Sequence, residues 1–274
     1  MSPLAIDRDK CKRDAVCTAV CPLGLIEMRT AESYPSWIEA AENLCINCGH
    51  CVCACPAAAL TVTRMTPEEC SQASKALLPS YGQVDHFLRT RRSIRNYKDQ
   101  PVDREILTSL LKTASFAPSG HNSQPVHWLA VDTADEIRRL AALVIEWMRE
   151  AIEKEPEIAQ PLHFDRVTAA WERGQDRVLR GAPNLVIAHA DASLRASQAA
   201  CIIALAHLEL AAVARGLGTC WAGYFAAAAN SYGPLMDALA LPVRHQVFGA
   251  LMIGHRKYQY ARVPRRHEPR VTWR

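Results

Sequence analysis

The chain has 274 residues, 49% of them hydrophobic, enough for one large domain or two smaller ones. Its 32 basic and 28 acidic residues leave a formal net charge of +4, too mild a balance to argue for nucleic acid as a partner. No unbroken run of eighteen apolar residues marks a membrane span. The opening MSPLAIDRDKC lacks the basic-then-apolar order of a secretory signal, and eleven cysteines in such a chain point to metal binding or catalysis in a reducing cytoplasm rather than to disulfides.

Eight of the cysteines fall between Cys11 and Cys55, and seven of them repeat one spacing. The second run is complete, Cys45-x2-Cys48-x2-Cys51-x3-Cys55-Pro56; the first reads Cys11-x2-Asp14-x2-Cys17-x3-Cys21-Pro22, with an aspartate at one cysteine position. This is the spacing of a two-cluster bacterial ferredoxin, in which three cysteines wrap one iron–sulfur cluster and the fourth, before proline, reaches the other. The spacing therefore assigns Cys45, Cys48, Cys51 and Cys21 to one [4Fe-4S] cluster, and Cys11, Cys17 and Cys55 to a second with Asp14 as candidate fourth ligand. A carboxylate is a harder ligand and holds iron more weakly in a soft sulfur site. Two forms of the second cluster are favoured, a [4Fe-4S] cluster with one Asp-ligated iron and a [3Fe-4S] cluster lacking that iron, against a drifted site that holds no cluster. Four-cysteine zinc ligation is the competing reading, but a doubled run of this kind is far more specific than paired CxxC motifs. A similar apolar stretch follows each proline, which predicts two pseudo-symmetric halves within a domain over 1–64. Cys53, inside the x3 spacer, reads as a small apolar residue, and Cys201 as core.

Residues 65–84 read as a linker in which Thr66 and Pro67 start a helix, with Pro79 and Gly82 punctuating its end. From Asp85 onward helices and strands alternate. The expected helices are 85–91, 103–116, 134–153, 163–180, 193–215 and 231–239, and the expected strands 126–132, 184–190, 217–223 and 244–253. The 193–215 helix is apolar nearly all round, as in a core or an interface, and Gly216 ends it.

Two polar clusters stand beside these elements. Arg91, Arg92, Ser93 and Arg95 are suited to clamping a phosphate, although a solvated basic patch has the same composition. Ser119, Asn122 and Gln124 offer neutral donors and acceptors at a strand entrance. Other motifs fail: His207-x-Glu209 has no Pro-Cys-x-x-Cys after it, Gly216-x-Gly218 lacks a dinucleotide-fold context, and the ten histidines are scattered.

The segments RRSIRNY, APSGHNSQP, GLGTCWAGYF and RVPRRHEP, in this order, resemble the FMN-dependent nitroreductase family over about 85–274, and the N-terminal part resembles a 2[4Fe-4S] ferredoxin. The resemblance implies an α+β fold around a mostly antiparallel central sheet, preceded by a small two-cluster ferredoxin-like domain, and a homodimer with FMN at the subunit interface. By family position Arg91, Arg92, Ser93 and Arg95 contact FMN, as do Asn122, Ser119 and Gln124. Ala222 and Gly223 form the turn near the flavin, and Arg262 and Arg266 are the C-terminal basic pair at its phosphate. Ala222 replaces a glutamate found in some relatives, and Val126 follows Pro125 where tryptophan is common; both departures bear on substrate preference. The implied activity is a flavin oxidoreductase with a small organic acceptor, fed by NAD(P)H or reduced ferredoxin, with no catalytic residue beyond the flavin and no nucleic acid or membrane partner. The alternatives are a non-catalytic electron carrier or redox sensor, or another flavin chemistry such as reductive dehalogenation. Trp147, Met148, Phe164 and Trp171 make the segment between the first two strands a candidate lid, against plain helical packing.

Overall fold

The computed structural model describes residues 4–274. The chain divides into two compact units: one runs to Leu78 and takes in His121–Ser123, and the other comprises Pro79–Gly120 and Gln124–Arg274.

The first unit contains β1 (Leu4–Ile6), α1 (Val16–Val20), β2 (Ile26–Glu27), β3 (Ser36–Trp37), α2 (Ala41–Leu44), α3 (His50–Ala54) and β4 (Leu60–Val62). Strands β1 and β4 pair antiparallel, as do β2 and β3. Leu4, Cys17, Ile26, Val52, Leu60 and Val62 form a small core. The repeat in the sequence recurs in the backbone. Arg13 and Asn47, Ala15 and Gly49, and Gly24 and Ala58 are equivalent in the two runs, and all six have positive φ. For a residue with a Cβ that conformation costs roughly 1–2 kcal/mol, so surrounding contacts must hold these loops. After β4 the chain folds back, Val62 and Met65 exchanging both backbone hydrogen bonds. The helix expected from Thr66 lasts a single 3-10 turn, Pro67–Glu69, because the backbone becomes extended at Cys70.

The second unit contains α4 (Tyr81–Thr90), α5 (Arg104–Ala114), β5 (His127–Val131), α6 (Ala134–Lys154), α7 (Pro156–Ala159), α8 (Phe164–Glu172), β6 (Asn184–Asp191), α9 (Ser197–Ala214), β7 (Leu217–Trp221), α10 (Gly223–Ala228), α11 (Gly233–Leu239) and β8 (His245–His255). Its sheet has the order β5-β6-β8-β7 and is antiparallel throughout, the α+β class expected from the sequence. Strand β6 is covered on both faces. Leu185 and Ile187 enter a core shared with α6, α8, α10 and α11; Val186, Ala188 and Ala190 enter one shared with α5 and α9. Gly218 on β7 lets a neighbouring segment come close: a Cβ there would lie 2.8 Å from Ile94, whose N–H donates to the Thr219 carbonyl.

Several boundaries move for local reasons. Helix α4 starts before position 85 because Ser80 and Gln83 cap it reciprocally, with Gly82 inside its first turn. Helix α8 stops well short of 180 because the Asp176 carboxylate takes the N–H groups of Val178, Leu179 and Gly181 and turns the chain. Ser193 does not open α9; its N–H and hydroxyl donate to Asp191 in the preceding turn. Helices α7 and α10 were not foreseen. Helix α9, with mean hydropathy 1.6 over 18 residues, is long and apolar enough to cross a membrane by length and composition alone. It packs on α5, β6, β7 and β8, burying Cys201, Leu205, Leu208 and Ala212.

Candidate functional site

The first unit builds two thiol-lined hollows. Cys21, Cys45, Cys48 and Cys51 line one, walled by Leu25, Ile26 and Val62. Cys11, Asp14, Cys17 and Cys55 line another, walled by Ile6, Ala59 and Leu60. Each takes three groups from one run and a cysteine from the other. The two crossing cysteines have matching partners: the Leu25 N–H donates to Cys21 Sγ at 3.3 Å, and the Ala59 N–H to Cys55 Sγ at 3.4 Å. Such bonds stabilise negative charge on sulfur. Asp14 Oδ1 accepts the Val16 N–H at 3.2 Å. Burial pushes the Cys51 thiol up to about 11, and Cys21 and Cys48 add to the shift; burial also raises Cys17. A cation among the thiols inverts that preference.

A single zinc ion needs sulfurs drawn in to about 2.3 Å, and among the described residues no group of three or more His, Cys, Asp or Glu is gathered for one ion. The first hollow offers four soft thiols, and the second three thiols with the harder Asp14 carboxylate, donor sets with the chemistry to hold a thiolate-ligated group.

In the second unit the expected flavin residues fall in separate places. Arg92 and Arg266 line an open basic cleft together with Arg89, Arg91, Arg265 and His267. Arg91 also pairs with Glu209 at 3.0 Å, and the same carboxylate accepts from Thr219 Oγ1 and Trp221 Nε1. Ser93 bridges to Thr219 in parallel register, and Arg95 reaches the Ser93 carbonyl at 3.5 Å. Ser119 and Gln124 line a different cavity of about 150 Å³ beside Trp128 and α9; there Ser119 Oγ accepts the Gln124 N–H at 2.9 Å. Ala222 is buried, its N–H donating to the Ala250 carbonyl, and Gly223 is exposed with open space above its Cα. Arg262 is exposed beyond β8. Asn122, in the first unit, donates to the carbonyls of Ile46 at 3.2 Å and Asn47 at 3.0 Å, on the loop between Cys45 and Cys48. His121, Asn122 and Gln124 all have positive φ, a strained run of a kind that clusters at functional sites.

Three histidines treated as scattered come together. His127 on β5 is the cross-strand partner of His189 on β6, and His189 Nδ1 lies 2.9 Å from His245 Nδ1 on β8, so one nitrogen donates and the other accepts. Burial, then the neighbouring His245 and His127, push His189 down to about 4. Of the lid candidates, Met148 and Phe164 are fully buried in the core, Trp147 packs on Phe164, and Trp171 lies under the Arg138 guanidinium. These side chains hold helices together.

The description "nitroreductase family" matches residues 88–255. The chain is 33% identical over 90 residues to the nitrobenzene nitroreductase of Ectopseudomonas oleovorans, a stretch that is 31% of this chain and 39% of that protein, so it spans well under two thirds of that relative. It is 28% identical over 188 residues to the FMN reductase (NAD(P)H) of Bacillus subtilis, 67% of this chain and 70% of that one. In fold it resembles a nitroreductase with bound FMN from Desulfitobacterium hafniense, with a TM-score of 0.55 at 21% identity over 70% of this chain and 97% of that chain. The match takes in all four strands of the larger sheet and most of its helices, and the chain belongs to the nitroreductase family.

Proposed function

We propose that the protein is an iron–sulfur flavoprotein, an FMN-dependent oxidoreductase that passes electrons between two thiolate-held clusters and FMN and reduces a small organic acceptor: a nitroaromatic, a quinone or an activated alkene. The observation that carries this reading is the pair of thiol-lined hollows with matched N–H···S bonds in a chain of the nitroreductase family. In it, residues 1–64 are a ferredoxin-type domain, 65–84 a linker and 85–274 the flavin domain. Cys21, Cys45, Cys48 and Cys51 hold a [4Fe-4S] cluster. Cys11, Cys17, Cys55 and Asp14 hold the second cluster, as [4Fe-4S] or as [3Fe-4S] with Asp14 unligated.

The clusters supply single-electron transfer, and FMN supplies storage of two electrons and hydride chemistry. The chain's own residues bind and orient. Arg92 and Arg266, with Arg262, supply positive charge for a phosphate. Arg91, anchored by Glu209, and Arg95 extend that charge, which favours an anionic reduced ring. Ser93, Ser119, Asn122 and Gln124 offer hydrogen bonds, and the open space above Gly223 lets a ring approach the backbone beside Ala222. The relatives' names favour NAD(P)H as donor, with reduced ferredoxin as the other candidate. A homodimer is proposed because α9 leaves Ile202 and Ile203 exposed on its outer face.

Anaerobic purification with iron, acid-labile sulfide and FMN determination, followed by electron paramagnetic resonance, tests the cofactors. Two distinct iron–sulfur centres and bound FMN are expected; protein without iron, or with two identical all-cysteine centres, overturns the assignment. Stopped-flow reduction by NADH, NADPH and reduced ferredoxin in turn identifies the donor. Reduced protein that persists for hours with every acceptor class overturns the enzyme reading.

A further inference from the structure

Two cysteines stand outside both hollows and beside each other. Cys53 lies on α3 and is exposed, so it does not act as the small apolar filler expected from its place in the spacer. Cys70 follows the 3-10 turn Pro67–Glu69 and is partly buried. Their Sγ atoms are 3.8 Å apart, and Cys70 Sγ also lies 3.4 Å from the Thr66 carbonyl oxygen.

Several local contacts bring them together. The paired backbone bonds of Val62 and Met65, 3.0 Å each, turn the chain back after β4. The Met65 side chain then covers Gly49 at the start of α3, where a Cβ would come within 2.5 Å of the thioether sulfur. The Thr66 N–H donates to Glu69 Oε2 at 2.8 Å, completing a capping box that fixes the turn leading to Cys70.

We propose that Cys53 and Cys70 form a redox modification site, a dithiol that closes reversibly to a disulfide when exposed to a small-molecule disulfide such as oxidised glutathione. One cysteine thiolate attacks a glutathione sulfur, making a mixed disulfide and releasing one glutathione. The second cysteine attacks the protein sulfur of that mixed disulfide, the Sγ–Sγ bond forms, and the second glutathione leaves. The two cysteines lose two electrons and two protons, and the two glutathione thiols formed gain them. Closure brings the sulfurs from 3.8 Å to about 2.05 Å. The bond uses none of the eight cysteine and aspartate positions that line the hollows. It pins the Met65–Cys70 turn against the helix carrying Cys51, one wall of the Cys21–Cys45–Cys48–Cys51 hollow, whose lining also includes Gly49 and Val62. That link to the hollow rests on the iron–sulfur reading; the cross-link itself does not.

The full chain, purified anaerobically, is incubated in glutathione buffers of rising disulfide content and quenched by alkylation. It is then digested without reduction and mapped by mass spectrometry, with iron measured on the same samples. The expected result is a Cys53–Cys70 cross-linked peptide as the main oxidised form of both residues, reversed by dithiothreitol, with the hollow-lining cysteines recovered as alkylated thiols. C53S and C70S each lose the cross-link, and the remaining thiol gains about tenfold more glutathione adduct than in the wild type, because no second thiol resolves it. Wild-type Cys53 and Cys70 that stay reduced, carry glutathione singly or join hollow-lining cysteines overturn the proposal. A 53–70 cross-link in iron-free protein upholds it while removing the iron–sulfur reading.

Discussion

Truncating Glu209 to alanine removes a carboxylate on which three side-chain donors converge. The side chain is 9% exposed. One oxygen accepts from Arg91 Nη1 at 3.0 Å and Thr219 Oγ1 at 3.3 Å, the other from Trp221 Nε1 at 3.2 Å. Thr219 is wholly buried, so its hydroxyl loses its partner at a cost of about 1–3 kcal/mol. Breaking a fully buried ion pair costs roughly 3–5 kcal/mol, but the Arg91 side chain is 25% exposed, and water recovers part of that. Trp221 also reaches solvent. The expected loss is about 2–4 kcal/mol, a fall in Tm of roughly 5–15 °C for a unit of this size. Glu209→Gln keeps an acceptor and should lose about half as much. Thermal unfolding by circular dichroism measures both, and the flavin content of the folded fraction shows whether Arg91 needs its anchor. An alanine variant within about 0.5 kcal/mol of wild type would refute a structural role for the carboxylate and leave Arg91 as a basic residue of the cleft alone.

His189 is held near 4 against an ordinary 6.5, so the unfolded chain takes up the proton first; stability is complete above 6.5 and falls as pH drops toward 4. Linkage makes that loss about 2–3 kcal/mol, measurable as urea midpoints at pH 7 and 4.5, and His189→Gln should flatten the slope. Gly49→Ala places a Cβ at φ +76° and 2.5 Å from Met65 Sδ; a loss of roughly 1–2 kcal/mol is expected, with partial recovery in the Met65→Ala background, and additive effects would deny the contact. Asp14→Cys should convert the second centre to one resembling the first, and electron paramagnetic resonance spectra identical to wild type would remove Asp14 from the ligand set. On α9, Ile203→Glu places a charge on the exposed outer face and should raise the dimer dissociation constant roughly a hundredfold, read by analytical ultracentrifugation; a wild-type chain that is already monomeric counts against the dimer.

What was legible followed from how far each signal reaches along the chain. The four strands of the larger sheet lie inside the expected runs or within two residues of them. Burial on both faces writes β6 and much of β8 as near-continuous apolar stretches. The cysteine runs showed which groups gather around each hollow because their spacing is local. Short helices such as α7 and α10 leave no period to read, and the end of α8 is set by one aspartate side chain. The Cys53–Cys70 pair, the three histidines and the Glu209 network escaped because each joins residues brought together only by folding. Glu209 was visible solely as half of a failed His207-x-Glu209 motif; its partners lie on β7 and at the end of α4, and no spacing rule connects them.

Helix α9 shows why composition alone cannot assign a face. Its inner side, with Cys201, Leu205, Leu208 and Ala212, meets the sheet and α5, and Glu209 is admitted there because Arg91, Thr219 and Trp221 satisfy its carboxylate. Residues at helical spacing on the other side, Ala199, Ile202, Ile203, Ala206, Leu210 and Val213, are exposed or half-buried and all apolar. A helix with one solvated side normally carries charge there. In the proposed homodimer a second copy of α9 would cover this apolar stripe, an isologous contact of the kind two-fold symmetry requires. Glu209 ties Arg91 to this same helix, so in the proposed dimer the helix that would meet its copy also anchors an arginine of the basic cleft.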